Sequence, residues 1–390
     1  MTKTLADMEQ RMANIEKNNV TIGTKITNLE KNVATVANIV KNREDIKADM
    51  EGKLEAVNHK VDGLKTALVR AFDEMKDVLI TMEGKKGENT RKVINRPSGD
   101  KENIVVAGGR WVNSVEMFNW RQRTWSLLQS MPKVRYGATS FIYNNHMTIA
   151  GGYCGGSGIV DDMIRMNIDP NPDLWTHWSD CPVKLPDKLR CHSSVLYNDQ
   201  LIISGGDNGN GSSDLIRAVQ LVPPYTVKTL SRMPEPRQRH SMEIFDDNLL
   251  IVGGRTTGGC KDNLSSVVLY DIKRNGLKQL SPLPYEVSDM ATVRWGDNIV
   301  VIGGEDKHGK ALDTVIIYNV NTEQSHMLPS MRCKRRGCTA VVIENNIVVL
   351  GGFGERREVK SVEGFNFERY SWEELPEMSE ARYWHTAVVV

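Results

Sequence analysis

Two different spacings of apolar side chains divide this chain. Over residues 5–82 they recur at alternating steps of three and four, from Leu5, Met8, Met12 and Ile15 through to Met75, Val78 and Met82. Of the 23 positions on that seam only Asn19, Arg43 and Lys47 are polar, and charged or amide residues fill the gaps between them. A 3.5-residue period held this long predicts an α-helical coiled coil over residues 1–86, about 115 Å long at the usual helical rise. Asn19 favours a two-stranded register, whereas β-branched Ile15, Ile22, Val36, Val57 and Val78 favour three strands or more. The expectation is self-association as a dimer or trimer. The lapse at Arg43 and Lys47, followed by Gly52 and Gly63, weakens the middle of the rod.

From residue 100 the pattern changes to short apolar runs, and one block keeps returning: a strand-like run ending in two glycines. It stands at Ile104–Gly109, Met147–Gly152, Leu201–Gly206, Leu250–Gly254, Val300–Gly304 and Val348–Gly352. Successive first glycines lie 43, 54, 48, 50 and 48 residues apart. A period of that size signals a repeat architecture. Ahead of each of the last five blocks stands another apolar run, joined to it by turn residues: Asn144-Asn145, Asn198-Asp199, Asp246-Asp247, Gly296-Asp297 and Asn345-Asn346. These pairs suit the positive φ of tight hairpins. In the second repeat the remaining strands are expected at Asp162–Asn167 and Leu174–Trp178. Four strands per repeat, six times over, is the pattern of β-propeller blades. Residues 87–99 are polar, carry glycine and end in Pro97-Ser98-Gly99, which makes them a linker to a propeller over 100–390.

The residues around each Gly-Gly pair carry a resemblance. An aromatic follows (Phe118, Tyr270, Tyr318, Phe365), then a Trp in some units (Trp125, Trp175 or Trp178, Trp372), then Met-Pro and an arginine (Met131-Pro132 with Arg135, Met233-Pro234 with Arg237). This resembles the kelch repeat. The resemblance covers about three quarters of the chain and implies an all-β, six-bladed kelch-type β-propeller, here preceded by the α-helical coiled coil. The two ends of the repeat region complement each other. The first repeat starts at its Gly-Gly strand, and the last residues, Arg382–Val390, match the strand that precedes Gly-Gly elsewhere. The C-terminal strand is therefore expected beside Ile104–Ala107, closing a six-bladed ring and covering both free edges.

Composition narrows the function. Net charge is +1, so bulk charge implies no nucleic-acid partner. No apolar run approaches membrane-spanning length, and no secretory leader pattern opens the chain. The six cysteines include no C-x-x-C pair, consistent with reduced thiols in the cytoplasm or nucleus. No phosphate-loop, nucleophile-elbow or HExxH pattern occurs. His192, His240 and His385 share one repeat position, but on different blades, which disfavours a metal. A non-enzymatic protein without cofactor or metal is expected.

A binding mouth is better supported. In an antiparallel hairpin the residue after Gly-Gly and the residue fifteen before it reach the same rim. The first column reads Arg110, Tyr153, Asp207, Arg255, Glu305 and Phe353; the second reads Tyr136, Arg190, Gln238, Ser288, Arg336 and Tyr383. The resemblance implies that these columns, with Arg239 beside the second, hold partner contacts, as in kelch adaptors that bind acidic peptides. Arginine with aromatic residues is a hot-spot composition. Arg110, Arg190, Arg239, Arg255 and Arg336 are expected to gather at the mouth and attract an acidic protein partner, with Asp207 and Glu305 offsetting only part of the charge. Arg190 and Arg336 are expected at the surface. Two further functions remain open: a substrate-recognition subunit of a ubiquitin ligase, and a kelch-type enzyme acting on a sugar.

Overall fold

The computed structural model describes residues 103–168 and 177–390. The chain divides between Pro97 and Ser98, and all described residues belong to the second unit. The coiled coil expected over 1–86 and the linker over 87–99 lie outside the described residues. So does most of the strand expected at Leu174–Trp178, of which the observed strand Trp178–Asp180 contains only the last residue.

The described residues are all β apart from one 3-10 turn at Cys260–Asp262. They form six four-stranded antiparallel sheets and one small three-stranded sheet. The second to sixth sheets begin with the strands Thr139–Tyr143, Ser193–Tyr197, Ser241–Phe245, Ala291–Trp295 and Thr339–Ile343. Each then runs through its Gly-Gly strand to a third and a fourth. The first sheet is assembled from both ends of the region. Thr386–Val389 pairs with Asn103–Ala107 in the register Ile104↔Val389 to Ala107↔Thr386, followed by Val115–Asn119 and Thr124–Leu128.

Six apolar cores lie one between each pair of neighbouring sheets, and the cycle runs from the first sheet round to the sixth and back. The aromatics of the third strands, Phe118, Tyr270, Tyr318 and Phe365, are fully buried in these wedges, where large rings remove the most apolar area from water. The hairpin turns take the expected positive φ at Asn144, Asn198, Asp246 and Gly296. The last turn is one residue earlier than expected. Ile343 pairs with Asn346, so Glu344-Asn345 makes the turn, with Glu344 at φ 51° and its carboxylate accepting the Trp120 indole N–H at 2.9 Å. Glu344 stands seven residues before Gly351, the spacing that Asn144, Asn198, Asp246 and Gly296 keep from their own Gly-Gly pairs, so the repeat sets this register and the bond to Trp120 only adds to it.

The Gly-Gly pairs are a steric necessity. The first glycine of each pair has φ between 54° and 68°. A Cβ on Gly108, Gly303 or Gly351 would come within 2.5 Å of the backbone oxygen of Arg135, Arg335 or Arg382. Those same arginines, with Arg237, are almost wholly buried. Their guanidinium Nη1 atoms donate to the carbonyls of Gly151, Gly351, Gly108 and Gly253 at 2.7 to 3.1 Å. Arg335 and Arg382 also pair with buried Glu363 and Glu116. The arginine of the repeat motif is thus an internal strut at four of the six Gly-Gly corners; Leu189 and Val287 stand at that position before Gly205 and Gly303.

Candidate functional site

The strands run so that all Gly-Gly corners open on one face and all hairpin turns on the other. At the Gly-Gly face the two sequence columns pair residue by residue. Tyr136 pairs with Tyr153, and single antiparallel bridges join Arg190 to Asp207, Gln238 to Arg255, Ser288 to Glu305 and Arg336 to Phe353. Arg110 N–H donates to the Tyr383 carbonyl at 3.0 Å.

Inside these pairs runs a closed belt of backbone hydrogen bonds. The N–H of Gly137 donates to Trp384 O, Cys191 to Gly137, Arg239 to Cys191, Asp289 to Arg239, Gly337 to Asp289 and Trp384 to Gly337, at 2.7 to 3.0 Å. All six residues are left-handed, with φ from 53° to 61°, although four of them are not glycine. Such a conformation costs about 1–2 kcal/mol per non-glycine residue, and the hydrogen bonds offset it. The belt and the residues that follow it, among them His192, His240, Met290, Cys338 and His385, line a central cavity of about 140 Å³. Burial lowers the pKa of His192 to about 4, with Arg217 adding to the effect. Burial likewise lowers His240 and His385 to about 3, helped by neighbouring arginines. These imidazoles are neutral, and no cluster of three metal-ligating side chains occurs among the described residues.

The floor of the mouth is a three-residue network. Trp384 Nε1 donates to Asp289 Oδ1 at 2.9 Å, Arg239 donates to the other Asp289 oxygen at 2.5 Å, and the Arg239 guanidinium lies 4.3 Å from the Trp384 ring centre. Sequence reasoning missed Asp289 and Trp384, although Arg239 was taken from the same repeat position. The missing signal was that this position, one past the second column, forms the belt.

The arginines are arranged differently from the expectation. Arg190 donates through Nε and Nη2 to Asp207 Oδ2 at 3.0 and 2.8 Å. Arg336 and Arg255 share the Glu305 carboxylate, Arg255 at 3.2 Å. With Arg239 on Asp289, four of the five arginines contact a carboxylate, three carboxylates serving the four. Arg190 and Arg336 are not free surface cations: their side chains are 34% and 32% exposed and each has a carboxylate. Asp207, Arg255, Ser288, Glu305 and Tyr383 are buried and frame the mouth. The physical reason is that an arginine held against low-dielectric walls needs a counter-charge.

Arg110 is the exception. It donates to the Tyr383 hydroxyl and forms no direct ion pair among the described residues, although the Glu358 carboxylate is near enough to favour its charge. Its guanidinium lies 5.2 to 6.0 Å from the ring centres of Trp111, Tyr383 and Trp384. Around it runs an aromatic crescent. Tyr136 stacks on Tyr153 at 5.1 Å and on Trp384 at 5.9 Å, and Tyr383 touches Trp384 and Phe353. Trp111, absent from the sequence columns, is 72% exposed at this edge. Adjoining the crescent at Phe353, a cleft of about 400 Å³ shares Arg336 with the mouth and adds Lys310, Lys334, Glu355 and Arg356.

Comparison with known proteins gives consistent results. Residues 98–254 match the KLHDC2/KLHL20/DRC7 Kelch-repeats domain, and residues 287–332 and 334–379 each match the Kelch motif. An F-box/kelch-repeat protein of Arabidopsis thaliana is 36% identical over 93 residues, 23% of this chain and 22% of that protein. Kelch-like protein 41a of Danio rerio is 26% identical over 120 residues, covering 31% of this chain and 20% of that protein. Kelch-like protein 35 of Mus musculus is 24% identical over 250 residues, or 62% and 40% of the two chains. The chain therefore spans well under half the length of these relatives. The solved structure of YjhT superposes with a TM-score of 0.60 over 71% of this chain and 95% of its own, at 13% identity, a likeness of fold.

Proposed function

Because the chain belongs to the kelch-repeat proteins, we propose that its six sheets are the blades of one closed six-bladed propeller whose mouth holds a protein partner without catalysing a reaction. The observation that carries this is Arg110. It is the mouth arginine left without a direct ion pair among the described residues, and it sits in a crescent of aromatic rings. Guanidinium with aromatic surface is what a partner segment with an acidic side chain and an apolar neighbour would require. Lys310 and Arg356 of the adjoining cleft, without an ion pair among the described residues, outnumber Glu355, which is paired with Lys334, and favour the same sign of charge.

In this reading residues 1–86 form a dimeric or trimeric coiled coil, and the array of mouths gains avidity without new contacts. A cytoplasmic or nuclear site of action fits its cysteine usage. The test is affinity capture with the full-length chain, then affinity measurement for the captured partner. Arg110→Ala should weaken binding by about 10- to 100-fold, the value of a hydrogen bond to a charged group, and salt should weaken it in the wild type. A partner indifferent to both changes docks elsewhere. A second function is favoured by the relatives named F-box/kelch-repeat proteins: substrate recognition for a ubiquitin ligase. Co-purification of a cullin with the full-length chain would establish it.

A further inference from the structure

The wedge between the second and third sheets departs from the other five. At the centre of the second and third strands, five sheets pair apolar residues or glycine: Val105↔Met117, Ile202↔Ala218, Leu250↔Leu269, Val300↔Ile317 and Val348↔Gly364. In the second sheet the pair is Thr148↔Arg165. Phe141 lies opposite Thr148, and Ser179 opposite Arg165, so one cross-strand row carries both polar residues on one face. Phe141 shows which face this is, because it packs into the core shared with Leu201, Val219 and Leu221 of the third sheet. Beside the Thr148 and Arg165 row lies a cavity of about 240 Å³. It lies toward the hairpin-turn end, away from the mouth, and is walled by Phe141, Tyr143, His146, Arg165, Leu221 and Tyr225 with others.

Arg165 is the unusual group. It is half-buried, its Nε is sealed from solvent without an acceptor, and among the described residues it has no side-chain hydrogen bond or ion pair. Its neighbours in the same two sheets, Arg135, Arg190 and Arg217, each have a carboxylate. A half-buried guanidinium without a counter-ion among the described residues carries an electrostatic cost that an incoming anion would relieve. Beside it, His146 Nδ1 is engaged by the Asn144 carbonyl at 2.7 Å, which leaves Nε2 as an acceptor.

We propose that this cavity binds a small carboxylic acid with an apolar body, its carboxylate paired with Arg165 and its body against Phe141, Leu221 and Tyr225. A monoanion matches one guanidinium bidentately. A phosphate would bring a second charge with no second Lys or Arg among the lining residues to meet it. Size agrees: a cavity of about 150 Å³ accepts benzene, so this volume suits a ring with a short acid arm. The site is independent of the mouth and of any partner bound there.

The experiment uses the full-length protein and three probes, benzoate, phenylacetate and 3-phenylpropionate, each with its neutral amide, followed by saturation-transfer NMR and calorimetry. At least one acid should bind ten-fold or more tighter than its amide, and Arg165→Gln should bring the acid down to the level of the amide. Absence of binding by all three acids at millimolar concentration overturns the proposal, as does binding that Arg165→Gln leaves unchanged. Should Arg165→Gln fail to fold, Cys181 gives a second readout, since its half-buried thiol lines the same cavity. In the otherwise unaltered protein the bound acid should slow alkylation of Cys181 at least five-fold, read by peptide mass spectrometry. A bound acid that leaves the rate unchanged sits elsewhere and overturns the assignment.

Discussion

Lowering the pH should unfold the propeller from its centre. His192, His240 and His385 have folded pKa values near 4, 3 and 3, against 6.5 in an unfolded chain. A group with a depressed folded pKa binds its proton more readily when unfolded. Stability is therefore intact above pH 6.5 and is lost as pH falls toward the folded values. At pH 5 each histidine costs about 2 kcal/mol, and the three together about 6 kcal/mol. Glu243 works in the opposite direction. Burial raises its pKa to about 7, partly opposed by the Thr292 hydroxyl bond. Its contribution is complete below pH 4.5 and lost as pH rises through 7, so moving from pH 7.5 to 5 restores about 1–2 kcal/mol, discounted for its partial exposure. The net loss is about 4 kcal/mol, a large share of the 5–15 kcal/mol typical of a domain. Urea unfolding followed by tryptophan fluorescence measures this in the full-length protein, because all 8 tryptophans lie beyond residue 97. His385→Gln should remove about one third of the histidine loss, since His385 is one of three histidines lowered by a similar amount. Stability that is flat or rises from pH 7.5 to 5, or a His385→Gln variant with the same pH dependence, would refute the argument.

Three further outcomes are expected. Gly303→Ala should cost about 2–4 kcal/mol in urea unfolding, because φ is 58° and the new Cβ would lie 2.5 Å from Arg335 O. Gly296→Ala, with a similar φ but nothing within 4 Å, should cost only about 1–2 kcal/mol; equal losses would mean that the contact plays no part. Deletion of residues 381–390 removes the strand beside Asn103–Ala107 together with the Arg382–Glu116 pair. It should abolish cooperative unfolding or cause aggregation, and a wild-type melting curve would show that closure lies elsewhere. Residues 1–90 alone should be helical and oligomeric; a monomer mass by light scattering at micromolar concentration would count against the coiled coil.

Much of the architecture is local and therefore legible along the chain. A Gly-Gly pair every 43 to 54 residues sets the repeat, because only glycine tolerates the corner beside the arginine carbonyl. Turn residues and period-2 alternation then place the strands. Counting from each corner also identified the two columns, since hairpin register follows from turn length. The last turn, Glu344-Asn345, keeps the seven-residue spacing from its Gly-Gly pair that the other four turns show; reading turn composition instead of that spacing misplaced it by one residue.

The charge balance of the mouth belongs to the tertiary structure. Arg239 and Asp289 are 50 residues apart, as are Arg255 and Glu305, and each pair meets only because neighbouring sheets stand side by side. The sequence column showed five arginines and two acids; the ring supplied Asp289, assigned Glu305 to two arginines and left Arg110 without a direct ion pair among the described residues. The Arg165 cavity is of the same kind. Its register within one sheet can be counted from the sequence, but whether the facing sheet fills the space beside it depends on side chains that share no periodicity with it. Within a sheet, short-range geometry decides which residues are paired. Between sheets, volume and charge decide which of them remain free, and those sums close only in three dimensions.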